Sequence, residues 1–529
     1  GGEAYNVALG YDAGTSVSTG VENTIIGGLA GSNLTTGARN VAVGYNALNT
    51  ADADDGRNTA IGYSALKMLN AGQNGLNTAV GHDAGAQMTT GIHNTILGAN
   101  AGDALTSGSR NVAIGYLALS SEDGNGRNVG IGWSALSVQN AGVDAYNVAI
   151  GHATGVLVST GIRNTLIGAF AGQSLATGER NIAIGYNALG SETNHGKNVA
   201  IGDHALATQQ AGADAYNVAV GTSAGVSITT GVGNTLIGGL AGDALTTGSS
   251  NVAIGTSALG SEDAHGRNVA IGYHALMDQD AGDEAYNVAV GYNAGENVTT
   301  GKNNTLIGGS AGDALTIGGS NVAIGKSALS LEDTGSKAVA VGFGTLANQN
   351  YNGDSYNVAM GYQAGNDITT GTENTLIGGL AGDALTTGVR NTVVGYAALS
   401  QEDTHGTNVA IGYAALSVQN AGADAFNTAV GYSSGISVTT GINNTIIGGL
   451  AGDALTTGVH NVALGYKALT TEDTGHYSVA IGSGALEDQN YNGSAFNVAI
   501  GYEAGNSLSL IHISEPTRQA EISYAVFCL

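Results

Sequence analysis

Six short acidic turns recur along this 529-residue chain, and three of them carry a histidine in the same register, His195, His265 and His405. The fullest copy reads Glu262-Asp263-Ala264-His265-Gly266-Arg267. Carboxylates beside an imidazole form a donor set for calcium or a transition metal. Asp243 adds a carboxylate after Gly238-Gly239-Leu240-Ala241-Gly242, a run similar to the calcium repeat G-G-x-G-x-D-x-U-x with its third Gly one place late. Asp243, Glu262, Asp263 and His265 are therefore the candidate metal ligands. Spacing weighs against calcium. Asp243, Asp313, Asp383 and Asp453 recur every 70 residues, four rungs or roughly 19 Å apart if the rungs stack as strands do, so no two share an ion. The simpler expectation is a solvated turn in which Arg267 and its counterparts pair locally with the carboxylates, a weak interaction.

Two other patterns have a chemical reading. Gly221-Thr222-Ser223-Ala224-Gly225 matches G-x-S-x-G, as do the runs around Ser310 and Ser433. A nucleophile elbow also needs a strand-to-helix turn and a nearby base. Equivalent runs put Asp12, Ala153 or Asn293 at the serine's place, so the repeat itself generates the match and no catalytic residue is expected. Aromatic residues recur at one register, Tyr116, Trp133, Tyr273 and Tyr413 among them. Such a column could stack on sugars of a host surface, or pack between chains and cover rung edges.

All of these residues hang on one phrase, Asn-(Val/Thr)-x-(Ile/Val/Leu)-Gly, written 29 times from Asn6 to Asn497. The steps are mostly 17 residues with every fourth 19, giving a 70-residue super-repeat (17-17-17-19), and one step, Asn40 to Asn58, is 18. A fixed period of this length predicts a solenoid: an all-β parallel β-roll of about 29 rungs, forming one repeat domain over residues 1–507. With Asn as position 0, Val252 and Ile254 share one strand face and Ala253 points to the other. Position 4 is Gly without exception, which predicts a backbone turn at positive φ or a contact too close for a Cβ. One buried aliphatic is expected per rung. It sits at position 11 in the first two units of each 70, as Ile228 and Leu245, and at position 8 in the last two, as Leu259 and Leu276. Asn holds position 0 in 27 of 29 units, with Ala338 and Ser478 the exceptions. Stacked Asn amides bond up a column in cross-β ladders, so Asn111, Asn181, Asn251, Asn321, Asn391 and Asn461 are expected to be structural.

Composition bounds the partners. A net charge of −26 argues against nucleic acid, whose phosphates call for a basic stripe, and against anionic membrane surfaces. No run of 18 apolar residues is present, so no insertion into a bilayer is expected from this stretch. The start in mid-phrase reads as a fragment. Leu508 to Leu529 break the pattern and contain the only Pro and only Cys of the chain, Pro516 and Cys528. The run L-S-L-I-H-I-S-E-P-T-R, then Gln519-Ala520-Glu521, then I-S-Y-A-V-F-C-L resembles a translated sequencing adapter around a barcode. Residues 508–529 are accordingly read as a non-native tail.

The phrases N-V-A-I-G-Y-x-A-L, as at Asn268, and N-T-L-I-G-G-L-A-G, as at Asn234, resemble the head repeats of YadA-like trimeric autotransporter adhesins. They resemble more closely the N-T-A-I-G-Y-x-A-L arrays of tail-fibre-like proteins of phages and environmental bacteria. The resemblance covers residues 1 to about 507. It implies three parallel β-roll chains side by side, a fibre outside the cell or on a virion, and attachment to a host-surface glycan or protein. Rungs of 17 and 19 residues depart from the shorter adhesin rung and imply larger loops. The alternative expectation is a calcium- or other ion-dependent binding module built on the acidic turns. A glycan-cleaving tailspike would need paired carboxylates in a groove, and no unrepeated pair stands out.

Overall fold

Each copy of the phrase folds into one three-residue strand, in a computed structural model that describes residues 3–51 and 56–508. The tail reading falls, apart from Leu508, outside the described residues. The chain divides into two compact units, Gly1–Arg267 and Asn268–Leu529. The first contains β1 (Val7–Leu9) to β15 (Val252–Ile254), the second β16 (Val269–Ile271) to β29 (Val498–Ile500). Within each unit, successive strands pair in parallel and in register. Val218, Ala219 and Val220 of β13 lie on Thr235, Leu236 and Ile237 of β14. The architecture is an all-β parallel solenoid with one strand per turn. Among the described residues no helix is long and apolar enough to cross a membrane.

The face that is buried follows from how thin the rung is. The central strand residue, usually Ala, is fully buried, while its β-branched neighbours are half-buried on the outside. Opposite it lies Ala at position 7, such as Ala224 and Ala241. Two facing methyl groups leave room for one larger side chain, and its position moves from rung to rung. Ile228 fills the first rung of a 70, Leu259 the third and Leu276 the fourth. The second rung departs from the expected single aliphatic: Leu236 at position 2 and Leu245 at position 11 are both buried. Leu236 occupies the space over Gly225, where an added Cβ would stand 2.7 Å from its Cδ1.

Three corners bend the chain through the left-handed region. The residue before the ladder Asn, position 6 and the position-8 Leu all have φ near +50 to +65°, for example Arg163 (60°), Ser223 (55°) and Leu259 (55°). Side chains tolerate this region at roughly 1–2 kcal/mol each. Rung-to-rung backbone bonds offset that cost, such as Val218 N to Asn234 O at 2.8 Å and Gly238 N to Val220 O at 2.8 Å.

Candidate functional site

The ladder Asn joins one rung to the next twice over. Asn164 Oδ1 accepts the backbone N–H of Asn181 at 2.9 Å, and its Nδ2 donates to the carbonyl of Gly178 at 2.9 Å. The same acceptor bond runs from Asn111 to Asn128, Asn321 to Ala338, Asn391 to Asn408 and Asn461 to Ser478, all at 2.9–3.0 Å. Asn181, Asn251 and the others of this column are buried. The column is therefore mainly side chain to backbone, rather than the amide-to-amide stack expected from cross-β ladders. Few amides touch directly, as Asn391 Nδ2 does Asn374 Oδ1 at 3.1 Å.

The glutamates of the acidic turns are not solvated, which corrects the expectation above for them, while Asp123, Asp263 and Arg267 of the same turns are exposed. Glu122, Glu192, Glu262, Glu332, Glu402 and Glu472 are all fully buried. They occupy position 11, the inward site that Ile228 and Leu245 fill in neighbouring rungs, so the register already marks them as interior. Each folds back on its own turn. Glu192 Oε1 accepts the N–H of His195 at 3.1 Å and Oε2 that of Ala211 at 3.2 Å; Glu402 accepts from His405 at 3.2 Å. Backbone N–H groups donate to them, and at Glu122 the side-chain amide of Asn128 does so as well. The cation of this turn reaches the following rung instead: Arg127 pairs with Asp144 at 2.5 Å, Lys197 with Asp214 at 2.5 Å and Lys337 with Asp354 at 2.7 Å.

A matching Gln stands one rung on, also at position 11 and also buried: Gln139, Gln209, Gln279, Gln349, Gln419 and Gln489. The sequence reading passed over this column. The two ladder exceptions are tied to it. Where Ala338 and Ser478 replace Asn, Gln349 and Gln489 donate directly to Glu332 and Glu472 at 2.9 and 2.8 Å. There Tyr351 and Tyr491 give their N–H groups to the same carboxylates. Ser336 and Asp354, and likewise His476 and Ser494, add a short parallel bridge. The lost Asn is thus replaced by a rearranged polar cluster, not left as a gap.

Burial pushes the Glu122 carboxyl up to about 7, against hydrogen bonds from Asn125 that pull the other way, and it also raises Glu402. A folded-state value above the unfolded 4.5 means the folded chain holds its proton more tightly. Below pH 4.5 both states are protonated and the shift has no effect. Between there and about pH 7 the unfolded chain ionises first, so stability falls as pH rises. Glu122→Gln is expected to remove this slope, gaining on the order of 2–3 kcal/mol at pH 8 and nearly nothing at pH 4. Urea midpoints of both proteins at the two pH values check this. An equal gain at both pH values would refute the linkage.

Of the four candidate metal ligands, Glu262, Asp263 and His265 come together, each offering an atom within 4.8 Å of the others, as do Glu402, Asp403 and His405. Asp243 does not join them. It sits at position 9 of the rung before, its carboxyl raised by partial burial, as are those of Asp103, Asp313, Asp383 and Asp453. The His265 ring nitrogen lies 3.5 Å from Glu262 Oε1, beyond a hydrogen bond. Ser223, Ser310 and Ser433 sit at the left-handed corner of their rungs. Among the described residues none of them bonds to a histidine.

The aromatic column is half-exposed at Tyr116, Trp133, Tyr273 and Tyr413. Its rings stack along the rung axis. Tyr413 lies between Tyr396 at 5.7 Å and Tyr432 at 5.4 Å; Trp133 lies on His152 at 4.8 Å and Tyr273 on Tyr292 at 5.4 Å. Tyr116 has no ring partner among the described residues. Stacked rings give their faces to each other and their edges to solvent, so a sugar meets mostly edges and hydroxyls.

A second edge escaped the sequence reading. The left-handed residue just before the ladder Asn is Arg39, Arg57, Arg110, Arg127, Arg163, Arg180, Lys197 or Arg267 in eight rungs of the first unit, eight of that unit's nine Lys and Arg. In the second unit only Lys337 and Arg390 hold it. Every fourth rung places Tyr or Phe there, apart from Leu76, and Arg127 lies 5.2 Å from the Tyr146 ring centre and Lys197 5.0 Å from that of Tyr216. The Asp214 carboxylate beside it raises the Lys197 ammonium, and Lys197 in turn lowers Asp214.

Together these features define a parallel β-solenoid repeat protein whose buried polar groups serve mainly to join rung to rung. Compared with protein-family models and with curated proteins, the chain matches none.

Proposed function

We propose that the chain is a structural and adhesive module of an extracellular, cell-surface or virion fibre, not an enzyme, and that it assembles as a homotrimer. The observation that carries this reading is the outer strand face. Val, Thr and Ile at positions 1 and 3 are stacked in register through each unit and stay half-exposed, with Ile237, Ile307 and Ile377 at 37–38%. A continuous apolar strip of that kind favours burial against another surface, and identical copies of this chain offer a matching strip. The rest of the rung is committed to stacking, which suits a rigid spacer presenting repeated contacts for multivalent attachment to a host-surface glycan or protein.

Light scattering is expected to give three times the 52.1 kDa chain mass. Ile237→Lys with Ile307→Lys, both pointing outward, is expected to yield monomers with unchanged circular dichroism. A wild-type monomer sinks the trimer. The clustering of Glu402, Asp403 and His405 favours a second reading, an ion-dependent binding module. A melting temperature indifferent to added calcium or zinc would remove it.

A further inference from the structure

We propose that the cationic edge of the first unit, centred on Arg163, Arg180 and Lys197, binds an extended acidic polysaccharide. The proposal deepens the attachment reading by naming a ligand class and a site. Three observations carry it. The column from Arg110 to Tyr216 holds five cations and two tyrosines on seven successive rungs, all with φ between 53 and 65°, so all leave the same corner. In-register rungs set those side chains about 4.8 Å apart, close to the spacing of sugars along an extended chain. The charge is also confined: this chain of net −26 places nearly all the cations of one unit on a single edge.

The groove beside them fixes the chemistry of the ligand. Thr160, Thr177, Asn194, Arg180, Lys197 and Asp214 line a depression of about 570 Å³. Lys197 is held by Asp214, and Arg180 lies 3.7 Å from Glu179. Arg110 and Arg163 make no ion pair among the described residues. A densely charged phosphate backbone would meet the carboxylates of Asp144, Glu179 and Asp214 as well as the cations. An acidic sugar chain meets both usefully. Its carboxylates or sulfates face the guanidinium groups, and its hydroxyls donate to the Asp and Glu oxygens. Tyr146 and Tyr216, about half-exposed, flank the three central cations and add apolar contact on either side of them. Affinity along such an edge rises with the number of rungs engaged.

The test uses the full chain with immobilised polygalacturonate and heparin as probes, dextran as neutral control, and a short DNA duplex. The variant is Arg163→Ser, Arg180→Ser, Lys197→Ser. Ser250 and Ser320 already occupy this position at φ 61 and 60°, so the corner tolerates Ser. Expected are salt-sensitive binding of polygalacturonate or heparin, no binding of dextran, and at least a tenfold loss in the triple variant. Arg390→Ser in the second unit should leave binding unchanged. No binding of either acidic polysaccharide, equal binding by the triple variant, or DNA bound as tightly through the same residues each overturns the proposal. Adherence of the unsubstituted chain to whole cells, measured in parallel, separates the two ideas. Adherence by a chain that binds neither acidic polysaccharide refutes this edge and leaves the attachment module standing.

Discussion

Gly221→Ala is expected to open the first unit at the junction of β13 and β14. The residue has φ of 144°, and a Cβ there would stand 2.3 Å from the carbonyl oxygen of Gly238 and 2.5 Å from its carbon. Both obstacles are backbone, so no rotamer change relieves them. The rungs must part, which breaks the 2.8 Å bonds from Val218 N to Asn234 O and from Gly238 N to Val220 O. A loss of about 4 kcal/mol or more follows, in the range reserved for disrupted backbone and lost packing together. Two neighbouring glycines calibrate it. At Gly239 an added Cβ meets nothing within 4 Å and φ is ordinary, so Gly239→Ala is expected to lie within about 0.5 kcal/mol of the parent. At Gly225 the obstacles are the ends of Leu236, Ile228 and Leu206 side chains, which can yield in part. Gly225→Ala is expected to cost about 1–3 kcal/mol. Hydrogen exchange over residues 215–240 gives the readout. Equal protection in all three variants would show that the glycine column does not set the rung spacing.

Asn164→Ala is expected to cost about 3–5 kcal/mol. The substitution strips the buried Asn181 N–H of its acceptor and the Gly178 carbonyl of its donor, and each orphaned buried group costs about 1–3 kcal/mol. Asn164→Asp keeps the acceptor but turns an oxygen toward the Gly178 carbonyl. Its damage is expected to be greatest at neutral pH and smaller in acid, where a protonated carboxyl can donate again; the buried acid gains its proton on folding, so stability falls as pH rises. Denaturation midpoints at pH 4 and pH 8 measure both effects. An alanine variant as stable as the parent would mean that the rungs are held by the strand bonds alone. Ala338 and Ser478 show what a tolerated replacement requires: Gln349 and Gln489 turn to the neighbouring Glu and a short bridge forms. Asn164 has no such Gln in its own rung, where position 11 is Leu175.

The amino-acid sequence by itself determined the repeat, the strand positions, the need for Gly at position 4 and the structural role of Asn at position 0. These follow from periodicity, because in a parallel in-register stack whatever one rung needs, every rung needs. Tertiary structure decided which face is inside. Val252 and Ile254 look like the core pair by hydrophobicity, yet Ala253 is buried and they are not, because the rung is only wide enough for a methyl group there. It also decided the state of Glu262 and its counterparts. Charge suggests solvent, but the turn curls over the carboxylate and supplies its own N–H groups, as at Glu192. The same register carries Ile228 and Leu245, and that signal was legible along the chain. The edge of Arg163, Arg180 and Lys197 was not. Its members lie 17 residues apart, scattered among acidic turns, and only the left-handed corner before each strand brings them onto one line.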